Sequence, residues 1–195
     1  MDLQLKDKTA LVTGASQGIG RAIAKELAAE GVRACIAARR RALLEELAAE
    51  IVAAGGPAPA IAVVDIMEDG APQRLAAEAQ CLVGAIGILV NSAGGSKPPI
   101  PLDAPESDWS EGMTLNFVRV RQLTHAVLPQ MIAAKWGRVI NISGKSEPER
   151  LLTATSAKAA IHAWAKGLSR EVGKHGITVN SIPPGRIMSE QIRRK

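Results

Sequence analysis

Short apolar segments alternate with longer helical segments along the whole chain, and this alternation limits the possible folds more than any other feature. In the helical segments apolar residues recur every three or four positions, as Ile19, Ile23 and Leu27 do. The apolar segments between them are only four to seven residues long, which suits buried strands. Strands that alternate with helices form a parallel sheet covered on both faces. The sequence therefore predicts a single doubly wound α/β domain with a parallel sheet.

The predicted elements place every polar motif of the chain at the carboxyl end of a strand. In open parallel sheets, ligands bind outside these ends. Strands are predicted at residues 9–13, 32–38, 60–64, 86–90, 139–142 and 177–182, and helices at residues 18–30, 43–54, 71–82, 107–114, 117–135 and 155–172.

Composition and charge favour a small-molecule substrate over nucleic acid or membrane. The net charge is +5, and its densest parts are residues 39–41 and 193–195, which have no interleaved aromatic residues. The longest apolar run, residues 81–90, is too short to span a bilayer, and the first residues lack a signal-peptide core. Cys35 and Cys81 fit neither a disulfide framework nor a zinc site and are predicted to be small buried residues. We expect a cytoplasmic protein without a metal.

A glycine-rich turn joins the first strand to the first helix. It reads Thr13-Gly14-Ala15-Ser16-Gln17-Gly18-Ile19-Gly20. Glycines allow a tight turn there and let a pyrophosphate approach the N–H groups at the positive end of the helix dipole. A tight strand-to-helix connection could use glycines for its own sake, but the strand before and the helix after favour phosphate binding.

The end of the second strand bears on which dinucleotide binds. An acid there holds the ribose 2′-hydroxyl, whereas an arginine accommodates a 2′-phosphate. Ala38 stands where the acid is expected, and Arg39 follows it. A solvated start of the next helix would also explain the arginines, but not the missing acid. The sequence therefore predicts NADP(H), with NAD(H) as the second choice.

Taken in order, these motifs resemble those of the short-chain dehydrogenase/reductase family. The resemblance rests on Thr-Gly-x-x-x-Gly-x-Gly at residues 13–20, then Asp65, Asn91-x-Ala93-Gly94, Asn116, Lys158 and Pro184-Gly185. It covers nearly the whole chain and is nearest the carbonyl and 3-oxoacyl reductase branch. It implies one NAD(P)-binding Rossmann-type domain over residues 1–195 and a homodimer or homotetramer. Relatives continue further, so we expect the segment that covers the substrate to be absent from this chain.

The resemblance also implies a role for each matching residue. The cofactor would be bound by Gly14, Ser16, Gln17, Gly18, Ile19, Gly20, Arg39, Asp65, Ile66, Asn91, Ala93, Gly94, Lys158, Pro184, Gly185 and Ile187. Lys158 and Asn116 match two catalytic positions of the family. Ser143 is the nearest hydroxyl to the catalytic serine position and is a third catalytic candidate.

Two positions of the family's active site do not match. The proton-donating tyrosine stands four residues before the lysine, but here that residue is Ala154, and the chain contains no tyrosine. The catalytic serine position is Gly144, and Ser143 lies one residue earlier, where a strand side chain points to the other face. Two hypotheses therefore remain open. The chain is an NADP(H)-dependent oxidoreductase for a carbonyl or alcohol with an atypical site, or a non-catalytic NADP(H)-binding sensor or partner subunit.

Overall fold

The computed structural model describes residues 2–95, 102–144 and 149–185, and these contain one parallel six-stranded sheet. The strand order is β3-β2-β1-β4-β5-β6. The strands are β1 Thr9–Thr13, β2 Arg33–Ala38, β3 Ala60–Val63, β4 Ile88–Asn91, β5 Gly137–Ile142 and β6 Ile177–Ile182. The helices within the described ranges are α1 Gly18–Ala29, α2 Arg41–Ala53, α3 Ala71–Val83, α4 Glu106–Met113, α5 Arg119–Ala134 and α6 Thr153–Val172.

Hydrophobic residues pack against both faces of the sheet, as the prediction of a doubly wound fold requires. Successive side chains of a strand point to opposite faces. Leu11, Leu89 and Val139 therefore pack with α3, α5 and α6. Val12 and Val90 face the other way, towards α1 and α2. The strand order reverses between β1 and β4, and the ends of these two strands form the crevice in which such folds bind ligands.

The predicted burial of Cys81 is wrong, whereas the helix predicted at 107–114 leads into the one predicted at 117–135 as expected. A π-helical turn, Thr114–Val118, carries α4 directly into α5. Such turns occur frequently at functional sites, and this one holds the buried Asn116. Cys81 is exposed, because the buried positions of α3 lie on the opposite side of that helix; Cys35 is buried in β2 as predicted. Within the described ranges no helix has the length and apolar character needed to cross a membrane.

Candidate functional site

The glycine-rich turn after β1 lies backbone to backbone against the end of β4. Gly14 has a φ of +66°, and a Cβ on it would lie 2.8 Å from the Ser92 carbonyl oxygen and 2.9 Å from the Ala93 nitrogen. A Cβ on Gly20, in the first turn of α1, would lie 2.5 Å from the Gly14 carbonyl oxygen. Side chains are thus excluded where β1, α1 and β4 meet. This leaves the N-terminus of α1 open to an anionic ligand.

The Thr13 side chain fixes this junction. Its Oγ1 accepts hydrogen bonds from the Ser92 and Ala93 N–H groups, each at 3.1 Å, and donates to the Val90 carbonyl at 3.2 Å. Thr13 is buried, so its hydroxyl has no competing water. In the sequence Thr13 is recognisable only as the start of a glycine motif. Its position at the end of a buried strand, next to a glycine, was the signal for this role.

Charged side chains surround the end of β2. Arg40 donates a hydrogen bond from Nη2 to Gln17 Oε1, which ties the glycine-rich turn to the start of α2. Arg39 is exposed and lies 3.8 Å from Asp65, a contact too long and too open to solvent to immobilise the guanidinium. Asp65 also accepts a hydrogen bond from the Met67 N–H at 2.9 Å. Arg39 therefore lies at the carboxyl end of β2 and is held there only weakly by Asp65.

Asn91 contributes to the sheet and not to the surface of the crevice. Its Nδ2 donates to Thr124 Oγ1 at 3.0 Å and to Asn141 Oδ1 at 2.9 Å, and the whole residue is buried. Both amide protons are thereby used, and they link β4 to α5 and β5. Asn91 can therefore contribute to cofactor binding only through the backbone of the turn that follows it.

Asn116 holds that turn in place. Its Oδ1 accepts a hydrogen bond from the Gly95 N–H at 3.1 Å, and its Nδ2 donates to the Gly95 and Gly112 carbonyls, each at 3.0 Å. A Cβ on Gly94 would lie 2.9 Å from Asn116 Oδ1, so glycine is required for this approach. The amide protons of Asn116 are both used, which makes it a positioning residue.

Lys158, in the second turn of α6, extends between the ends of β4 and β5. Its Nζ donates a 2.7 Å hydrogen bond to the Ile142 carbonyl. A Cβ on Gly94 would lie 3.3 Å from Nζ, and a Cβ on Gly144 would lie 3.2 Å from Cδ. Burial lowers the pKa of Lys158 from its ordinary value of 10.5 to about 8. The lysine thus brings a weakly held proton to the edge of the sheet where the predicted site lies.

The structure places Ser143, a predicted catalytic residue, in a buried position, and its catalytic role stays a prediction. Ser143 is buried, and its Oγ has no hydrogen-bond partner among the described residues. Strand alternation turns position 144 towards Lys158 and position 143 away from it. Ala154, in the first turn of α6, is also buried. Neither a phenol nor a hydroxyl therefore stands at the two positions that the family uses.

The remaining predicted residues divide into three groups. Ser16, Gln17, Gly18 and Ile19 lie in or directly after the turn at β1, and Ala93 lies in the turn after β4. Ile66 packs at the edge of the core after β3, while Pro184 and Gly185 follow β6. Ile187 lies outside the described residues.

A cavity among the described residues lies apart from the predicted site. It has a volume of about 590 Å³ and lies between α6 and the edge strand β6. Its lining includes Arg138, His162 and Lys166. His162 therefore faces this groove instead of the glycine-rich turn, although it lies one helical turn beyond Lys158.

The lowered pKa of Lys158 predicts a pH-dependent stability. Between pH 8 and pH 10.5 the unfolded chain binds more protons than the folded chain, so wild-type protein gains stability as the pH rises through this window. Lys158→Met removes the gain. We expect the free energy of unfolding of wild type, relative to Lys158→Met, to be constant below pH 8 and to increase above it. Urea unfolding near pH 7 and near pH 10 measures this, with Lys166→Met as the control for loss of an exposed lysine of the same helix. A difference that does not vary with pH would contradict the buried environment of Lys158.

Comparison with known proteins settles the family. The family model described as short chain dehydrogenase matches residues 8–195. The chain belongs to this family. A short chain dehydrogenase of Pseudocercospora fijiensis is 38% identical over 192 residues, which are 96% of this chain and 62% of that protein. The 3-oxoacyl-(acyl-carrier-protein) reductase of Pseudomonas aeruginosa is 34% identical over 194 residues, which are 98% of this chain and 78% of that protein.

A solved structure of a family member has the same fold. L-sorbose reductase from Gluconobacter frateurii, complexed with NADPH and L-sorbose, superimposes with a TM-score of 0.92 at 28% sequence identity. The superposition covers 98% of this chain and 74% of the reductase. This short chain dehydrogenase thus spans about three fifths to four fifths of the length of the proteins it resembles. The family consists of oxidoreductases that bind NAD(P).

Proposed function

We propose that the chain is a single NAD(P)-binding domain that binds NADP(H) and transfers a hydride between it and a carbonyl or alcohol substrate. The observation that carries this proposal is the side-chain-free junction of Gly14, Gly20 and the Ser92–Ala93 peptide at the strand-order reversal. A dinucleotide pyrophosphate needs such a close approach to backbone N–H groups. The bound nicotinamide supplies or accepts the hydride, and the protein supplies binding, orientation and proton transfer.

In the proposed complex the dinucleotide lies across the carboxyl ends of the strands. Ser16, Gln17, Gly18, Ile19 and Gly20 would hold the pyrophosphate, and Asp65 and Ile66 would frame the adenine. The backbone of Ala93 and Gly94 and the ammonium of Lys158 would border the nicotinamide ribose, with Pro184 and Gly185 beside the ring. The preference for the 2′-phosphate form rests on Arg39, which is exposed and only weakly paired with Asp65.

A first experiment tests the cofactor. Calorimetric titration with NADPH and with NADH gives both affinities, and an NADPH-oxidation assay on ketones and 3-oxoacyl thioesters gives turnover. Tight binding with turnover supports the proposal. Absence of binding by either nucleotide would overturn it.

The cofactor preference is tested by Arg39→Ala. We expect this change to weaken NADPH binding about tenfold or more and to leave NADH binding nearly unchanged, because a charge-assisted hydrogen bond to phosphate is worth about 1.5–3 kcal/mol. Arg41→Ala is the matched control, since Arg41 is also exposed but forms an ion pair with Glu45 within α2. Equal weakening of both nucleotides by Arg39→Ala would remove the preference for NADP(H).

A second candidate function is favoured by one specific observation. Ala154 and Gly144 occupy the two positions where the family carries its catalytic tyrosine and serine, and the nearby Ser143 hydroxyl is buried. A protein with an intact cofactor crevice and no proton donor would bind NADP(H) without turnover and act as a sensor or partner subunit. The assay above separates the two functions.

We further propose a homodimer or homotetramer that associates through α5 and α6. Phe117, His125 and Trp164 form a ring cluster where these elements meet, with ring centroids 6.2 Å and 6.1 Å from that of Trp164. Ala159 and Ala163 are exposed on α6 and leave room for the close approach of a partner helix. Light scattering after size-exclusion chromatography measures the assembly. The cytoplasmic location stays a prediction.

A further inference from the structure

The absence of tyrosine leaves the proton of the proposed reaction without its family donor, and Lys158 is the described group best placed to supply it. The side chains nearest to positions 94 and 144 are those of Asn116 and Lys158. Asn116 uses its amide protons on the Gly95 and Gly112 carbonyls. Lys158 uses one of its three N–H groups on the Ile142 carbonyl, which leaves two for a ligand.

The bond to the Ile142 carbonyl also orients the ammonium. It anchors Nζ at the carboxyl end of β5, while Gly94 and Gly144, which carry no side chains, are its close neighbours among the described residues. A larger residue at either position would fill the space next to the lysine. The bond to Ile142 and the two glycines therefore hold the amine at the carboxyl ends of β4 and β5, the edge of the sheet at which open parallel sheets bind ligands.

No charged group among the described residues holds the proton on Lys158. Burial is the cause of its lowered pKa. Titratable and charged groups on the elements next to α6 are Glu106, Asp108 and Glu111 of α4, Arg138 of β5, Glu149 and Arg150 before α6, and Lys174 and His175 after it. None of these contributes to the pKa of Lys158. Lys145 and Glu147 lie outside the described residues.

We infer that the ammonium group of Lys158 itself delivers the proton to the substrate oxygen, in place of the missing phenol. This inference rests on the proposed function. As hydride from the reduced nicotinamide forms a C–H bond at the carbonyl carbon, the π electron pair of the C=O bond moves to oxygen. One N–H bond of Lys158 breaks while an O–H bond forms, which yields the alcohol, oxidised nicotinamide and a neutral amine. A proton from solvent then restores the ammonium.

An acid with a pKa of about 8 suits this role at neutral pH. Below that pH the amine is protonated and is able to donate. Above it, the protonated fraction falls tenfold for each pH unit. Reduction should therefore slow as the pH rises through about 8, whereas oxidation of the alcohol, which needs the neutral amine as base, should accelerate.

The test combines a pH profile with a direct titration of the lysine. kcat/KM for reduction of acetoacetyl-coenzyme A at saturating NADPH reports the ionisation of the enzyme form that captures the substrate. NMR of ¹⁵N-lysine-labelled protein without nucleotide, assigned by comparison with Lys158→Met, reports the Lys158 pKa independently of activity. We expect both midpoints near 8, with the NADPH-bound profile displaced upwards by the charge of the nucleotide.

Two variants distinguish proton transfer from positioning. Lys158→Met should lower kcat by about 100-fold or more at saturating NADPH. Lys158→Arg keeps a positive charge and hydrogen-bond donors, but the guanidinium does not release its proton near pH 8. This variant should therefore bind NADPH but not recover the wild-type kcat, and its rate of reduction should not fall near pH 8. Lys166→Met, in the same helix, should leave the rate and the profile unchanged.

Each outcome has a definite meaning. NADPH binding without turnover on any carbonyl tested contradicts the proposed function, and the inference falls with it. Turnover with a rate that does not decline above pH 8, full activity of Lys158→Arg, or a Lys158 resonance that titrates near 10.5 overturns the inference alone and leaves the proposed function standing.

Discussion

Gly14→Ala is expected to destabilise the protein by about 3 kcal/mol or more, since a left-handed φ costs about 1–2 kcal/mol and overpacking about 1–3 kcal/mol. Both costs apply because φ is +66° and the new Cβ would lie 2.8–2.9 Å from the Ser92–Ala93 peptide. These are backbone atoms held by Thr13, so the neighbour has little room to move. Urea unfolding measures the loss of stability, and NADPH titration at low temperature should show no binding.

Three other glycines separate the causes. Gly55 has a φ of +83° in open space, so Gly55→Ala measures the backbone conformation alone. Gly20 has an ordinary φ, and its Cβ would lie 2.5 Å from the Gly14 carbonyl oxygen, so Gly20→Ala measures the clash alone. Gly167 lies within α6 with nothing near its Cβ position, and Gly167→Ala should stabilise the protein by about 0.5–1 kcal/mol.

Together, the four variants test whether β1, α1 and β4 approach each other closely and whether NADPH binding requires that approach. NADPH binding should be lost in Gly14→Ala and Gly20→Ala and retained in Gly55→Ala and Gly167→Ala. A Gly14→Ala protein that is no less stable than Gly55→Ala would show that the backbone contact with Ser92 is absent in solution. Full NADPH affinity in Gly20→Ala would exclude this junction as the pyrophosphate site.

The sheet could be predicted from the sequence because its signals are local. Each strand is a short apolar run that ends in a polar or glycine-containing turn, and the helices between them repeat their apolar residues at helical spacing. Even so, the repeat of Ile19, Ile23 and Leu27 does not form the buried stripe of α1. Gly20, Ala24 and Ala28 do, while the larger residues line a surface groove with Leu3 and Leu5. Small residues allow α1 to lie close to the sheet. The spacing of large apolar residues in the sequence does not reveal this requirement of tertiary packing.

The details of the site depend on contacts between distant segments, and these could not be predicted. At the continuous junction of α4 with α5, the Asn116 side chain bonds both the preceding helix, at Gly112, and the turn after β4, at Gly95. Asn91 was predicted at the cofactor by its motif, yet its side chain is used within the sheet by Thr124 and Asn141. In both cases the motif placed the residue at the correct strand end or helix. Apart from Gly112, the partners that fix the direction of the two amides lie 21 to 50 positions away.

Ala154→Tyr is expected to raise kcat for carbonyl reduction, because the phenol would take over proton transfer from Lys158; the gain over Ala154 in the Lys158→Met background should be about 100-fold or more, since a positioned general acid contributes about 10²–10⁴-fold. Position 154 lies four residues before Lys158, and residues at this spacing share one face of a helix. Gly144 lies beside the lysine and carries no side chain there. The ammonium of Lys158 would lower the pKa of the new phenol, so the falling limb of the rate should move to the pKa of the phenol–lysine pair.

Ala154→Phe is the control that isolates the proton. It introduces the same ring at the same buried position, and both variants should lose about 1–3 kcal/mol of stability through overpacking. Only the phenol carries an acidic proton, so a rate gain confined to Ala154→Tyr assigns the effect to proton transfer and not to reshaping of the crevice. Equal rates for the two variants would mean that the ring does not reach the substrate oxygen. In that case the loss of serine at position 144 would also limit turnover, and Ala154→Tyr combined with Gly144→Ser would be needed to restore the hydroxyl pair.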